Sequence, residues 1–483
     1  MREDEIRALW RRDEDAAVKL FMQMQDQING LTLRTAELER RLHQNSQNSH
    51  QPPSHDGPSK GHFGFDRPAP KSQRKKSGRE SGGQPGHEGT TLKLADPADH
   101  IEEYWPQRCG CCGRYLGQES VSGYERRQVH DVPVIKIEVT EHRRMEVVCE
   151  TCGAHTQGEY PASVTNVVQY GSGMKALMTY LVTQHLLPLE RSGELLKAIV
   201  NGQPSEGTIV NAVAECAAGL SAVEIKIKQA LLKVAMGHFD ETSLRVMKKL
   251  YWLHVISTDQ LTFYALDEKR GQQAHERIGI LPQFKGTAVH DAYASYFGYD
   301  MLHGLCNAHL LRDLTSVEES TSQLWPIQMK DLLLSIKTTV DTTKATGATA
   351  LPATQIDYFQ ILFRTLVQSG LSANPPPERL PGQRGRLKQS PARNLLERLR
   401  DHEDAVLRFM HDFNVPFDNN QAERDLRMMK VKQKISGCFR SLDGAQAFCR
   451  IRGYISTIRK QGGDVLAALR SVFDGSPFVP TLS

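Results

Sequence analysis

From residue 234 to about 306 the chain reads as one strand after another, and this run limits the fold more than any other stretch. "AMGHFDETSLRVM", "LYWLHVISTD" and "LTFYALDE" are three β-runs with short connections, the pattern of an antiparallel meander. A short helix follows at about 272–280 ("QQAHERIGI"). Two further strands come next, "GTAVHDAY" and "MLHGLC", and the second leads into the helix "NAHLLRDLTSVEE". Helical spacing dominates on both sides of this block, at 170–233 and at 320–412. A basic, proline-rich interruption ("PPPERLPGQRGRLKQSP") breaks the second stretch. The chain is therefore expected to be a multidomain α+β protein.

Two acids stand at unusual places in the strands. Asp240 lies mid-strand in "GHFDETSLRV" with apolar neighbours, and Asp291 ends "GTAVHDAY". A carboxylate in a core strand is costly unless it is paired or binds a metal. Glu423, in "DNNQAERDLR", offers a third acid from a later helix. Three carboxylates without cysteine favour magnesium or manganese. Two such ions can drive phosphodiester transfer. Glu241, next to Asp240, should point to the opposite face and is the second choice of ligand there. Spacing alone leaves another reading open. Asp240 and Asp291 would then be edge or turn residues, and Glu423 the acid of a capping box started by Asn420.

The cysteines form a second constellation. Cys109 and Cys112 lie in "RCGCCGRYL", and Cys149 and Cys152 in "VVCETCGAH". Each pair is CxxC followed by glycine, and four thiolates suit a closed structural zinc site. Cys111 is a rival for either position of the first knuckle. The alternating segment between the knuckles, "QVHDVPVIKIEVTEHRRMEVVC", should form half-buried strands. Cys216, Cys306, Cys438 and Cys449 read as ordinary buried or semi-buried thiols.

Residues 1–44 read as a helix with an imperfect apolar stripe, either a coiled coil or a solvent-facing helix. Residues 45–98 are polar and rich in Gly, Pro, Ser, His and Gln, which suits a flexible basic linker. "LERSGELLKAIVNGQPSEGTIVNAV" is compatible with a helix-turn-helix, although a plain helical bundle is the simpler reading. Basic residues concentrate in Lys71–Arg79, Arg379–Arg400 and Arg424–Arg470, which fits contacts along a polyanion or ordinary solvated faces. No apolar run is long enough to span a bilayer, and the N-terminus lacks an apolar signal core. A cytoplasmic protein with no membrane partner follows by default.

"HFDETSLRV", "VHDAYASY", "CNAHLLRDL" and "DNNQAERDLRMMKVKQKISGCFRSLDGAQAF" resemble, in order and spacing, the transposases of the insertion-sequence-66 family. The resemblance extends to "NSQNSHQPPSHDGPSK", "GGQPGHEG" and the cysteine module. It implies an RNase H-like mixed α/β catalytic domain, at 234–319 and 413–440, with a helical insertion at 320–412. A zinc-binding β module at 99–165, a helical domain and candidate DNA-binding unit at 166–233 and a C-terminal helical tail at 441–483 would complete the chain. The implied catalytic triad is Asp240, Asp291 and Glu423, holding Mg2+ (or Mn2+). His309 and Arg312 match the family's "AH..R" helix, and Asn420 and Arg424 its "NN.AER" segment, in supporting roles. Zn2+ would sit on Cys109, Cys112, Cys149 and Cys152. The implied partners are transposon ends and target DNA, further copies of the chain, and accessory proteins of the same element. Two other readings stand beside this one: an inactive or domesticated DNA-binding regulator, and a metal-dependent nuclease without strand transfer. The sequence departs from the family pattern at the extra cysteine of "CGCCG" and at Gly453, where a small polar residue is expected.

Overall fold

The computed structural model describes Met22, Thr35 and residues 92–117, 123–133, 135–377 and 387–482. Met22 and Thr35 are helical and exposed; the remainder of the expected N-terminal helix and most of the linker lie outside the described residues.

The strand-rich block forms a five-stranded mixed sheet. Its strands are β3 (Met236–Val246), β4 (Lys249–Ser257), β5 (Thr262–Asp267), β6 (Thr287–His290) and β7 (Leu302–Leu305), in spatial order β5-β4-β3-β6-β7. β3, β4 and β5 pair antiparallel as a meander, and β6 and β7 add in parallel on the other side of β3. Met247 and Lys248 turn the β3–β4 hairpin in the left-handed region. Alternation along β3 sends Phe239 and Glu241 to one face and His238 and Asp240 to the other.

Helices cover both faces. Before the sheet come α1 (Ser172–Thr183), α2 (Leu189–Val200), α3 (Glu206–Gly219) and α4 (Ser221–Leu231). The short α5 (Gln272–Ile278) follows β5. After β7 come α6 (Asn307–Ser320), α7 (Trp325–Ala345), α8 (Ala353–Ala373), α9 (Pro391–Asp401), α10 (Glu403–Val406) and α11 (Arg408–His411). The chain ends with α12 (Asn420–Ser436), α13 (Leu442–Lys460) and α14 (Val465–Phe473). The caps match the sequence: Ser205, Ser390, Ser441 and Asp464 each accept a first-turn amide hydrogen.

Phe239, Ile256, Phe263 and Ala288 pack with residues of α3, α4, α13 and α14. On the opposite face Leu253, Val255 and Tyr264 meet Ala422, Leu426 and Met429 of α12. Val289 and Leu305 join the core built with α6–α11. The helical stretch after β7 thus forms as expected from its spacing. The sequence reading set residues 441–483 apart as a tail. Instead α13 lies against β5 and buries Phe448, Ile451, Tyr454, Ile455 and Ile458 in the same cores.

α2, a turn with Asn201 in the left-handed region, and α3 reproduce the helix–turn–helix outline. However, α3 carries no lysine or arginine, and its Ile209, Ala212, Cys216 and Ala217 are buried. Among the described residues no single helix is long and apolar enough to cross a bilayer.

The cysteine module differs from expectation. It has a two-stranded ribbon, β1 (Glu146–Val148) and β2 (His155–Gln157), but no strand among the described residues of 128–144. Val129, Val132 and Val139 in that stretch are exposed. The alternation is present, and Ile137 does pack against the cluster of Met178, Leu196 and Ile209, but a strand also needs a partner for its backbone groups, and the described residues supply none there.

Candidate active site

The parallel pairing of β3 with β6 sets the first two acids. Met236 faces Thr287, Gly237 faces Ala288 and His238 faces Val289. Two residues further along each strand come Asp240 and Asp291, at matching heights and, by alternation, on the face that α12 covers. Each is tied to local backbone: Glu241 N–H donates to Asp240 Oδ1 (2.8 Å) and Tyr293 N–H to Asp291 Oδ1 (3.0 Å). Glu241 points to the other face, as expected. There its two oxygens accept from Arg270 Nε (2.8 Å) and Tyr296 Oη (2.5 Å), and its side chain is 1% exposed.

Glu423 enters from the first turn of α12. That helix is fixed to the sheet just before it starts. Buried Asn419 donates from Nδ2 to the Phe239 carbonyl (2.7 Å), and its Oδ1 pairs with His238 Nδ1 (2.8 Å). Tyr264 Oη donates to the Asp425 carbonyl (2.8 Å), and Lys460 pairs with the Asp425 carboxylate (2.8 Å). The expected capping by Asn420 is not what forms. Asn420 is the first helical residue, and its N–H is taken by Asp418 Oδ1 (3.1 Å). The Glu423 carboxylate is not turned back as a capping-box acid. Its Oε1 lies 3.7 Å from His309 Nδ1 and 3.6 Å from Arg312 Nη2 on α6. The family-matched His309 and Arg312 therefore do meet Glu423. Asn420 and Arg424 are exposed, and Arg424 donates to Gln421 (2.9 Å).

The acids feel one another. Burial, then the negative charges of Glu241, Asp291 and Glu423, hold the Asp240 carboxyl well above its ordinary range. Burial and Glu241 push Asp291 up to about 6, against the Tyr293 N–H, Arg270 and Arg398. Burial raises Glu423 as well, opposed by Arg312 and Arg427. Burial lowers His309 to about 4, with Arg312 and Arg398 adding to the effect, so it is neutral at pH 7. Carboxylates that repel one another in a half-buried site fit a hard divalent cation, whose charge would reverse each of these upward shifts. Arginines surround them: Arg270, Arg312, Arg398 and Arg427 each act electrostatically on one of the acids or on His309.

Much of the other basic charge is already paired within the chain. Arg393 pairs with Glu397, Arg398 with Asp313 and Arg450 with Glu224. Lys71–Arg79 and residues 379–386 lie outside the described residues.

Both cysteine knuckles form. Gly113 N–H bonds the Cys109 carbonyl (3.0 Å) and Gly153 N–H the Cys149 carbonyl (2.8 Å), with both glycines in the left-handed region. Backbone amides of Cys111 and Cys112 lower the Cys109 thiol, and those of Cys152 and Thr151 lower Cys149. That donor set suits zinc. Among the described residues neither the knuckle sulfurs nor the carboxylates of Asp240, Asp291 and Glu423 bring three ligand atoms within 4.8 Å of one another. Cys111 is exposed beside the first knuckle. Of the remaining cysteines, Cys216, Cys306 and Cys449 are buried and Cys438 is exposed.

Several contributors were not singled out from sequence: Asn419, Arg270, Tyr296, Arg398 and Cys306. Cys306 precedes α6, and its sulfur accepts the Asn419 N–H (3.1 Å). The doubled asparagine of "DNNQAER" was the available signal for Asn419.

Residues 2–93 match a family of unknown function (DUF6444). No curated protein matches the chain. The model of the IS66 family of transposases matches residues 167–447, more than half of the chain and all of the sheet, α6 and α12. The chain belongs to the IS66 transposase family.

Proposed function

We propose that this transposase is of the DDE type, with an RNase H-like catalytic domain in which Asp240, Asp291 and Glu423 hold Mg2+ or Mn2+. The observation that carries the reading is the β3–β6 register. It pairs His238 with Val289, two residues before Asp240 and Asp291, and the charges of Asp291 and Glu423 both act on Asp240, which supports a shared site. The β5-β4-β3-β6-β7 order, antiparallel then parallel, supports the same domain type. Bound divalent ions would polarise the scissile phosphate and activate the attacking hydroxyl. The chain's own residues do the rest. Asp240 and Asp291 are pinned by the amides that follow them. Arg312 and Arg427 beside Glu423 would take phosphate oxygens of the DNA backbone. The reaction would be strand cleavage at the element's terminal inverted repeats, followed by strand transfer to target DNA. Two ends must be joined in concert, so the working form would contain several copies of the chain. The cysteine knuckles would close on Zn2+ as a structural module that contributes to end binding.

The test is metal-dependent cleavage and joining of DNA carrying the element's ends. The wild type should give both cleaved and joined products. Asp240→Ala should lose at least roughly 10²–10³-fold in rate. Equal activity in the two proteins would end the catalytic reading, and cleavage without joined products would identify a nuclease instead.

A further inference from the structure

Cys306, His309 and Glu423 each offer one ligand atom, and the three atoms lie within 4.8 Å of one another. Two of them, His309 Nδ1 and Glu423 Oε1, are buried and have no hydrogen-bond partner. They face each other at 3.7 Å, too far for a hydrogen bond. Ligands about 2.0–2.3 Å from a tetrahedral ion stand at about 3.3–3.8 Å from each other, so this gap matches two atoms sharing one ion. The third donor is oriented in advance: Cys306 precedes α6, three residues before His309, and the Asn419 N–H points at its sulfur (3.1 Å). Asn419 is itself locked to the Phe239 carbonyl. Buried, unpaired polar atoms are costly, and two that face each other beside a cysteine sulfur call for an occupant.

We infer that Cys306 Sγ, His309 Nδ1 and Glu423 Oε1 form a zinc site inside the catalytic cleft, separate from the cysteine knuckles. Sulfur and imidazole disfavour magnesium and suit zinc. Three protein ligands leave a fourth position open to water or to a phosphate oxygen. Binding involves no redox change: the thiol gives its proton to solvent and its sulfur bonds the ion. Arg312 Nη2, 3.6 Å from the same carboxylate oxygen, competes for Glu423. It is half-buried and must turn outward when the ion enters. Glu423 is then shared between two cation sites, a hard one with Asp240 and Asp291 and a softer one with Cys306 and His309. The binding claim stands on this geometry alone. Competition between zinc and magnesium for Glu423 rests additionally on the catalytic reading above.

The test is binding of Zn2+, with Co2+ as its spectroscopic substitute, to the full chain. Bound metal per chain and the thiolate-to-cobalt absorption are read by titration, in wild type and in a variant with Cys109, Cys111, Cys112, Cys149 and Cys152 all replaced by serine, which disables both knuckles. That variant should keep a tight site with one thiolate. Adding Cys306→Ser should abolish it. Adding His309→Ala, a partly exposed position, should weaken it by at least about 10²-fold, because loss of outer-shell groups alone costs 10–100-fold. Arg312→Gln should tighten it. Identical stoichiometry and spectra with and without Cys306 and His309 would overturn the site, whatever the DNA assay gives. Binding that is intact while zinc leaves magnesium-dependent cleavage unaffected would instead count against the sharing of Glu423.

Discussion

Asn419 makes three contacts at the start of α12: two tie it to the strand carrying Asp240, at the Phe239 carbonyl and His238, and the third reaches the Cys306 sulfur just before α6. With its amide nitrogen given to Phe239, its oxygen accepts from His238, which fixes the histidine as the Nδ1–H tautomer. Burial lowers the His238 pKa, so the ring stays neutral in this role. Asn419→Ala leaves a buried carbonyl and a buried ring N–H without these partners, a cost of about 1–3 kcal/mol. The urea midpoint should fall accordingly, and DNA cleavage should fall with it as Glu423 loses its register. An unchanged midpoint would show that the bridge is not structural. At this scale legibility was uneven. Asp240 and Asp291 stood out because acids are expensive in strands. Glu423 was indistinguishable from a helix cap by local pattern and was reached through resemblance. Asn419 and Cys306 were illegible because their meaning is tertiary: Asn419 meets His238 across 181 residues and Cys306 across 113.

At the scale of elements, α13 against β5 shows why Gly453 stands where a small polar residue was expected. A Cβ there would lie 3.1 Å from the Thr262 carbonyl oxygen and 3.8 Å from the Tyr264 ring. The helix rides close enough for Thr457 Oγ1 to accept the Thr262 N–H (3.0 Å) and for Lys460 to reach the Thr258 carbonyl (2.7 Å). Gly453→Leu should therefore destabilise by about 1–3 kcal/mol through overpacking, despite its better helix propensity. The measurement is thermal unfolding. A variant as stable as the wild type would mean that α13 can lift from β5 at no cost. The meander, the two later strands and the following helices were readable because period-2 and period-3.6 patterns are local, whereas the parallel pairing of β6 and β7 was not. The docking of α13 was not, since an amphipathic helix does not announce which surface it covers. The stretch 128–144 misled for the converse reason: it has a strand's pattern without a strand's partner.

At the scale of the whole molecule, sheet and helices hold acids together that repel one another, and this makes stability depend on pH and on cations. Asp291 is raised to about 6 in the fold and Asp240 is raised well above the ordinary range. In the unfolded chain both ionise near 4. Between these limits the folded state binds more protons than the unfolded state, so the ion-free protein loses stability as pH rises through that window. A divalent cation binds the ionised acids and opposes this loss. Magnesium should therefore raise the melting temperature little at pH 5 and clearly at pH 7.5. At a hundredfold excess over its dissociation constant the gain is about 2.7 kcal/mol. Asp291→Asn removes one repelling charge. It should raise the stability of the ion-free protein at pH 7.5 while abolishing most of the magnesium effect. Melting curves of both proteins at the two pH values, with magnesium or with chelator, decide the matter. A magnesium shift of equal size at both pH values, or one that survives Asp291→Asn, would mean that these carboxylates do not hold the ion.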